Sequence, residues 1–409
     1  MNLLIYEHFS AGGFRKEESA SSVLSEGFGM LRTAIKEASN AGHSVRTILD
    51  DQIAEFNPPL DADRKITATS LLDAENSLFE IAGNCDATYI IAPATDDKLQ
   101  KLVQRMQHNK SLCLTSTARA IADASNKALL HKKVGKLGLK SPKTIAFAPT
   151  NDPNAAVEAV SNQLGFPAIL KPAKSDGCEA LRIVENEEQT RNVIARFSNF
   201  EGHSFIAQEF VQGIAASVSL ITNGTKAWPI TLNQQNISLN SLSRDSTYNG
   251  GITPFNHKLI TSAFAAAKSV TESIEGLQGY VGVDVVLTKT GPVVIEINPR
   301  LTTSYIGISS ILRINLMQAI VDSILKRELP RNQELNGYAE FGKIKVAGPN
   351  ISIFQRTLRI PEVVSPPFPL KNRKSTYSLI CAKDSTEKKA KLKFNKAKKR
   401  LQTISKYGG

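Results

Sequence analysis

The chain of 409 residues is poor in cysteine and in aromatic residues, and it has no long apolar run. Its cysteines are far apart and show no metal-binding spacing, which argues against a disulfide scaffold or a zinc site. They are Cys85, Cys113, Cys178 and Cys381. No apolar stretch approaches the roughly 20 residues that span a bilayer, and no basic region precedes the first apolar stretch as in a secretory signal. We therefore expect a cytoplasmic protein with reduced thiols and no membrane partner.

Positive charge is concentrated near the C-terminus. The net charge is +12, but residues 371–409 hold thirteen Lys or Arg against two acidic residues, which leaves about +1 for the rest of the chain. A helix over 385–404 would place an apolar stripe against the body and leave a basic outer face. The stripe consists of Ala390, Phe394, Ala397, Leu401 and Ile404. Because no aromatic residues alternate with the lysines, we interpret this face as solvated and expect no nucleic-acid partner.

Strands and helices alternate in the N-terminal part of the chain, which favours a doubly wound parallel sheet of the α/β class. Ligands of such sheets bind at the carboxyl ends of the strands, so the turn at 10–13, after the first strand, is a candidate substrate loop. The predicted strands are 1–6, 45–49 and 87–93, and the predicted helices are 22–41 and 97–108.

The most informative segment is 293–305, where polar side chains end an apolar strand. Side chains alternate along a strand, so Glu296 and Asn298 should share one face while Ile295 and Ile297 face the other way. Pro299 then ends the strand, and Arg300 follows at once. A carboxylate, an amide oxygen and a guanidinium at one strand end suit a hard cation that is bound together with phosphates.

A second acidic residue, Asp284, lies in the apolar strand 280–287. If Gly291 closes a three-residue hairpin loop, residue 288 pairs with residue 292, and Asp284 then stands opposite Glu296 at about 5 Å. Two facing carboxylates repel each other unless a cation or a shared proton lies between them. Since the neighbouring ligands offer only hard oxygen, the sequence favours Mg²⁺.

A lysine at the end of another apolar strand indicates an anion site upstream. Lys171 closes the strand 165–171, and burying it is costly without a negatively charged partner. The polar loop 174–179, which begins with Lys174 and ends with Glu179, follows and could fold over phosphates.

The next apolar strand, 205–211, supplies a candidate adenine site. Glu209 lies within it. An adenine ring needs a backbone donor and acceptor along one edge and a flat apolar slot. The backbone of Phe210 and Val211 could provide both groups.

Taken in order, these motifs resemble the ATP-grasp superfamily from about residue 115 to 330. The resemblance implies that two lysines contact ATP phosphates, that the strand led by the glutamate holds adenine, and that the acids and the Asn carry two Mg²⁺ ions, with Mn²⁺ as a substitute. It also implies activation of a carboxylate as an acyl phosphate, which an amine then attacks. The residues that take these roles by resemblance are Lys127, Lys171, Glu209, Val211, Asp284, Glu296, Asn298 and Arg300. Arg300 suits the catalytic role of a fixed cation beside the acyl phosphate.

One position departs from the pattern of many relatives. They carry an acid for the ribose about seven residues after the glutamate of the adenine strand, whereas this chain has Ala216. Glu179 or a backbone group could take that contact instead.

Three short segments give a narrower resemblance, to the tyramine–L-glutamate ligases of methanofuran-type cofactor synthesis. They are 24–31, 248–254 and 298–305. The resemblance implies that the γ-carboxylate of glutamate is joined to the amine of tyramine. Side chains and glycines of these segments that could line the acceptor pocket are Tyr248, Gly250, Gly251, Thr302, Thr303 and Tyr305.

The resulting organisation is an N-terminal doubly wound parallel-sheet domain, 1–115, followed by an ATP-grasp α+β fold, 116–330. The C-terminal region, 331–409, carries the basic helix. An ATP-grasp ligase that joins a different carboxylate to an amine remains an alternative, as does a non-catalytic nucleotide-binding regulator, although a regulator has no need of the full set of metal ligands. The general base is not identified, and a homodimer is compatible with this interpretation.

Overall fold

The computed structural model describes residues 1–16, 20–109, 111–148, 152–173, 180–197, 204–240, 246–332 and 334–407. Within these ranges the chain forms three β-sheets with helices packed against them. The N-terminal sheet is parallel, and the other two are antiparallel. The fold is therefore of the mixed α/β type that the sequence predicts.

The N-terminal sheet has four parallel strands in the order β3-β2-β1-β4. Its strands are β1 (Asn2–Glu7), β2 (Ser44–Asp50), β3 (Arg64–Ala68) and β4 (Ala87–Ile91). Its helices are α1 (Ala20–Asn40), α2 (Asp51–Ala54), α3 (Leu71–Ala82), α4 (Lys98–His108) and α5 (Ala118–Ser125), with 3-10 turns at Gly13–Lys16 and Thr95–Asp97. The doubly wound prediction is confirmed, but β3 and α3 were not predicted. The mostly exposed β3 lacks the apolar pattern by which a strand is recognised.

A smaller antiparallel sheet follows, with the order β5-β8-β6-β7. Its strands are β5 (Thr144–Phe147), β6 (Ala168–Pro172), β7 (Arg182–Val184) and β8 (Phe205–Glu209). The helices of this part are α6 (Lys127–Lys136), α7 (Pro153–Gln163) and α8 (Glu187–Phe197). An apolar core on one side of the sheet includes Phe147 and Phe205, whose rings stack with centroids 4.9 Å apart.

The largest sheet has eight strands in the order β13-β12-β9-β10-β11-β14-β16-β15, and all its pairs are antiparallel. The strands are β9 (Ile214–Asn223), β10 (Ala227–Ser238), β11 (Thr247–Thr253), β12 (Gln278–Thr288), β13 (Gly291–Asn298), β14 (Tyr338–Ala347), β15 (Val363–Ser365) and β16 (Ser375–Asp384). The helices are α9 (Ile260–Glu272), α10 (Ser304–Ile311), α11 (Leu316–Leu325), α12 (Ile351–Thr357) and α13 (Glu387–Tyr407). Strands of the C-terminal region thus complete the sheet that carries the acidic strands, while the domain boundary at residue 330 stays a prediction.

One apolar core connects the N-terminal domain with the large sheet. It contains Leu3 of β1, Phe28 of α1, Tyr280 of β12 and Phe354 of α12. Helix α1 also packs against β16. The N-terminal domain is therefore held against the large sheet by burial of apolar side chains.

The basic C-terminal helix α13 is docked on the body. Four of the five stripe residues are buried. Three of them belong to an apolar cluster between α13 and the large sheet, and Phe394 packs against that cluster. The predicted apolar stripe is therefore confirmed. Among the described residues, no helix is both long enough and apolar enough to cross a membrane.

Candidate active site

A cleft of about 1810 Å³ is lined by residues from all three sheets. The N-terminal sheet contributes Glu7, the small sheet contributes Lys171 and Glu209, and the large sheet contributes Asp284, Glu296 and Lys343. Most of the predicted nucleotide and metal residues therefore face one shared space together with groups from the N-terminal domain, whereas Lys127 is not among the described residues that line it.

The two predicted acids lie directly opposite each other. In the pairing of β12 with β13, Asp284 stands opposite Glu296, as predicted. The predicted three-residue loop is wrong, because Thr288 pairs with Gly291 in a tighter turn. A β-bulge follows Asp284, because residue 285 pairs with residue 294 while residue 284 pairs with residue 296. The extra residue in β13 offsets the shorter turn, so Asp284 still faces Glu296.

The bulge also changes which side chains of β13 face the cleft. Ile295 lines the cleft together with Glu296 and Asn298, whereas Ile297 is buried in the apolar core of the other face. The prediction that Ile295 faces away from the acids is therefore wrong. An extra residue in a strand breaks the strict alternation on which that prediction was based.

Two amides and one acid surround the Asp284 carboxylate. Its Oδ1 accepts a hydrogen bond from Nε2 of Gln235 at 2.9 Å, and its Oδ2 accepts one from Nδ2 of Asn298 at 3.1 Å. Burial and the charge of Glu296 raise the pKa of Asp284 to about 7, and the two amides and Arg300 oppose that rise. Gln235 was not among the predicted residues, because nothing in its local sequence distinguishes it from other strand amides.

This arrangement fits a divalent cation. Two facing, desolvated carboxylates repel each other, and a hard cation removes the repulsion. The described residues contain no group of three His, Cys, Asp or Glu that could hold a metal ion. The candidate ligand set is accordingly two carboxylates and one amide oxygen, Asp284, Glu296 and Asn298.

Lys127 begins α6, which packs against the large sheet, and it reaches one member of the acidic pair. It is 3% exposed, and its Nζ lies 3.5 Å from Oε2 of Glu296. The preceding residue is Asn126, whose side chain accepts hydrogen bonds from the N–H groups of residues 128 and 129. This cap starts α6 at Lys127 and so fixes where the ammonium group enters.

The other predicted phosphate ligands are only partly described. Lys171 lies on β6, is 4% exposed and lines the cleft. Lys174 and Glu179 lie outside the described residues.

The predicted adenine strand reaches the cleft through Glu209, Phe210 and Val211. The N–H of Phe210 donates to the carbonyl of Pro167 at 3.4 Å. The carbonyl of Phe210 and the backbone of Val211 are therefore the stronger candidates for the adenine edge. Ala216, at the position of the missing ribose acid, is fully buried in the core behind β9.

Three of the predicted acceptor residues, Tyr248, Thr302 and Thr303, line the cleft together with the predicted catalytic residue Arg300. The other three predicted positions are not among the described residues that line it. A Cβ at Gly250 or Gly251 would lie 2.0 Å or 2.1 Å from a backbone oxygen of a neighbouring strand, so both glycines permit close strand packing. Tyr305 is fully buried and packs edge-to-face on Tyr280, with ring centroids 5.7 Å apart.

The N-terminal domain supplies an acid that the sequence analysis did not identify. Glu7 ends β1, is 1% exposed and lines the cleft. It accepts hydrogen bonds from the N–H of Phe9 at 3.0 Å and from the N–H and hydroxyl of Ser10 at 2.7 and 2.6 Å. Burial raises its pKa to about 7 despite these donors. The turn after β1, which also brings Gly13 to the cleft, lies where the strand-end rule predicts it.

Two further residues that sequence reasoning missed are Glu26 of α1 and Lys343 of β14, which form an ion pair in the cleft wall. Glu26 falls in the segment 24–31, so the narrower resemblance held a signal for it. Lys343 carries no comparable signal, because a lysine on a strand is ordinarily a solvated residue.

Comparison with known proteins identifies two domains in the chain. A family model for the ATP-grasp domain matches residues 124–304, and a model for the pre ATP-grasp domain matches residues 43–121. Together the two regions cover more than half of the chain. Among curated proteins, the tyramine–L-glutamate ligase of Methanocaldococcus jannaschii is 28% identical over 319 residues, which cover 75% of this chain and 85% of that protein.

Solved structures share the fold across almost the whole chain. A biotin carboxylase from Campylobacter jejuni has a TM-score of 0.71 at 15% identity, covering 99% of this chain and 95% of that one. A putative ATP-grasp superfamily protein from Archaeoglobus fulgidus has a TM-score of 0.62 at 23% identity, covering 93% and 99% of the two chains. The two matched domains, their order along the chain and the curated relatives all indicate the same family. This chain belongs to the ATP-grasp family of ATP-dependent carboxylate–amine ligases.

Proposed function

We propose that this protein joins the γ-carboxylate of glutamate to the amine of tyramine at the expense of ATP. The observation that carries the proposal is the register of β12 and β13, which sets Asp284 opposite Glu296 in a cleft that also contains Lys171 and Arg300. The choice of substrates is supported by the similarity to the tyramine–L-glutamate ligase of M. jannaschii.

The reaction would proceed in two steps. An oxygen of the γ-carboxylate attacks the terminal phosphorus of ATP, and ADP leaves. The ammonium group loses a proton, and the neutral amine attacks the acyl carbon. The nitrogen then gives up a second proton as the C–O bond to phosphate breaks, and phosphate leaves as the amide forms. Each step moves negative charge onto phosphate oxygens, so fixed cations lower its barrier.

The chain offers these cations from several directions. Lys127 and Lys171 are nearly buried and would hold the phosphates, and Arg300 would stabilise charge that develops on the acyl phosphate. Asp284, Glu296 and Asn298 would hold Mg²⁺, which neutralises phosphate charge when bound.

The test is to incubate the protein with ATP, Mg²⁺, glutamate and tyramine and to detect the γ-amide by mass spectrometry. We expect ADP release that depends on both the carboxylate and the amine. A panel of other amino acids and amines, offered under the same conditions, identifies the preferred pair. Amide formation with a different pair and none with glutamate and tyramine would refute the substrate assignment but keep the ligase.

A matched pair of variants tests the metal site. Glu296→Gln removes one charge from the acidic pair and should abolish turnover. Glu275→Gln makes the same change at an exposed position just after α9 and should leave turnover intact. Retained activity in Glu296→Gln would contradict the assignment of the site, and ATP binding without turnover on any substrate pair would favour the regulatory alternative.

A further inference from the structure

A second charged group lies in the wall of the same cleft, apart from the acidic pair that would hold the metal. It consists of Glu26 and Lys343, and we call it the Glu26–Lys343 pair. We propose that the pair recognises the α-ammonium and α-carboxylate groups of the amino-acid substrate, an inference that rests on the proposed ligase function and names the part of the site that selects an amino acid.

The pair is built from three distant parts of the chain. Nζ of Lys343 lies 2.6 Å from Oε1 of Glu26 and donates to the hydroxyl of Ser22 at 2.9 Å. The hydroxyl of Thr303 donates to Oε2 of Glu26 at 2.5 Å. Thr303 lies a few residues after β13, the strand that carries the candidate metal ligands Glu296 and Asn298. These contacts therefore connect the pair to the end of that strand.

Both side chains are held in place but remain open to the cleft. Their exposed fractions are 12% for Lys343 and 15% for Glu26, and both residues line the cleft. An ion pair with so little exposure loses much of its hydration, and its net contribution to stability is small or unfavourable. A binding role explains why charges are kept at this position.

The hydrogen-bonding capacity of the pair is only partly used by the described residues. A lysine ammonium has three N–H donors, and two of those of Lys343 have the acceptors given above. A carboxylate accepts up to about four hydrogen bonds, and Glu26 receives one on each oxygen. A positively charged group with an N–H donor to offer therefore lies beside a negatively charged group with acceptor sites to offer. This arrangement complements the carboxylate and the ammonium group on one amino-acid α-carbon.

The cleft as a whole favours a substrate with more negative than positive charge, because its described lining contains ten Lys or Arg against six Asp or Glu. Lys345, Arg373 and Lys374 line the same cleft, and Nζ of Lys343 lies 6.0 Å from the centre of the Tyr248 ring. Glutamate carries two carboxylates and one ammonium. With its γ-carboxylate at the reacting position, its α-carboxylate and ammonium would remain for the Glu26–Lys343 pair.

A purely structural pair that attaches α1 to β14 would behave differently. It would change stability, or the use of every substrate alike, whereas a recognition pair selects by the groups that it touches. Two small acids separate these cases. Glutarate is glutamate without the ammonium, and 4-aminobutyrate is glutamate without the α-carboxylate.

The experiment measures binding of all three compounds to the full-length protein by titration calorimetry with saturating ADP and Mg²⁺. The wild-type protein should bind glutamate at least about tenfold more tightly than glutarate or 4-aminobutyrate, since a hydrogen-bonded charge contributes roughly that factor or more. Glu26→Gln should lose the preference over glutarate, and Lys343→Met the preference over 4-aminobutyrate. Lys343→Arg, which keeps the charge, should retain part of it.

A matched control is the exposed pair on α13, where Nζ of Lys391 lies 2.6 Å from Oε1 of Glu387. Lys391→Met should change none of the three affinities. Equal wild-type affinities for the three compounds would overturn the inference without any variant. Folded Glu26→Gln and Lys343→Met proteins that keep both preferences would overturn it as well. Selective glutamate binding with no amide product would support the pair and refute the proposed function, so the two can fail separately.

Discussion

Replacing Asp284 by Asn should stabilise the protein without nucleotide and abolish its response to Mg²⁺ and ATP. Burial and, after it, the facing charge of Glu296 raise the pKa of Asp284 from 3.8 to about 7. A carboxyl group with a raised pKa in the folded state lowers stability once the pH exceeds its unfolded pKa, and this cost is complete above the folded pKa. Asparagine keeps the shape and removes the charge. Its neighbours Gln235 and Asn298 are amides, which can turn to preserve the hydrogen bonds.

The size of this effect follows from the same pKa. At about 1.36 kcal/mol for each pH unit, a rise from 3.8 to about 7 corresponds to about 4 kcal/mol of lost stability above pH 7. Water that enters the open cleft offsets part of this cost, so we expect Asp284→Asn to gain about 2 to 4 kcal/mol at pH 8. At pH 4 the carboxyl group of Asp284 is largely protonated in the folded protein, and the difference should nearly vanish.

The assay is urea unfolding of both proteins at pH 4 and pH 8 with EDTA, followed by thermal unfolding at pH 8 with Mg²⁺ and ATP. The wild-type protein should gain stability from Mg²⁺ and ATP, and the variant should gain little. Asp61→Asn, at an exposed position outside the cleft, controls for the loss of a charge. A variant no more stable than wild type at pH 8, or a gain that is the same at both pH values, would refute the idea that burial and the charge of Glu296 destabilise the ionised Asp284.

Further predictions concern the scaffold. Gly250→Ala would place a Cβ against a backbone oxygen of the adjacent strand and should lower the free energy of unfolding by about 3 kcal/mol or more. Gly135→Ala, in open space on α6, should raise it by about 0.5 to 1 kcal/mol. Urea unfolding measures both changes. Leu401→Ala at the buried stripe of α13 should lower stability by about 2 to 5 kcal/mol. Leu392, on the same helix, is 54% exposed, and Leu392→Ala should lower stability by less than about 0.5 kcal/mol. Equal losses of stability in thermal unfolding would contradict the docking of this helix. Burial raises the pKa of Glu340 to about 7. Glu340→Gln should therefore gain stability over wild type as the pH rises from about 4.5 to 7, and the gain should reach about 2 to 3 kcal/mol. A gain that does not change with pH in urea titrations would contradict this prediction.

The sequence alone determined the features that depend on local periodicity. Alternation along β13 predicts that Glu296 and Asn298 share a face, and both line the cleft. The pairing of Asp284 with Glu296 was predicted from a loop one residue too long, and the β-bulge offsets that error. The apolar stripe of α13 follows from helical spacing in the same way. In both cases the pattern records which face of the element is buried, and burial is what the chain must achieve wherever the element lies.

The tertiary structure decided what local periodicity leaves open. Gly291 allows either of two loop lengths, and only the packed strands show the tight turn with its compensating bulge, which turns Ile295 into the cleft. The contact between Glu26 and Lys343 joins residues 317 positions apart. No pattern within a strand or helix can encode such a contact, because it exists only after the N-terminal domain and the C-terminal strands have packed into one core and brought their polar groups to the same wall.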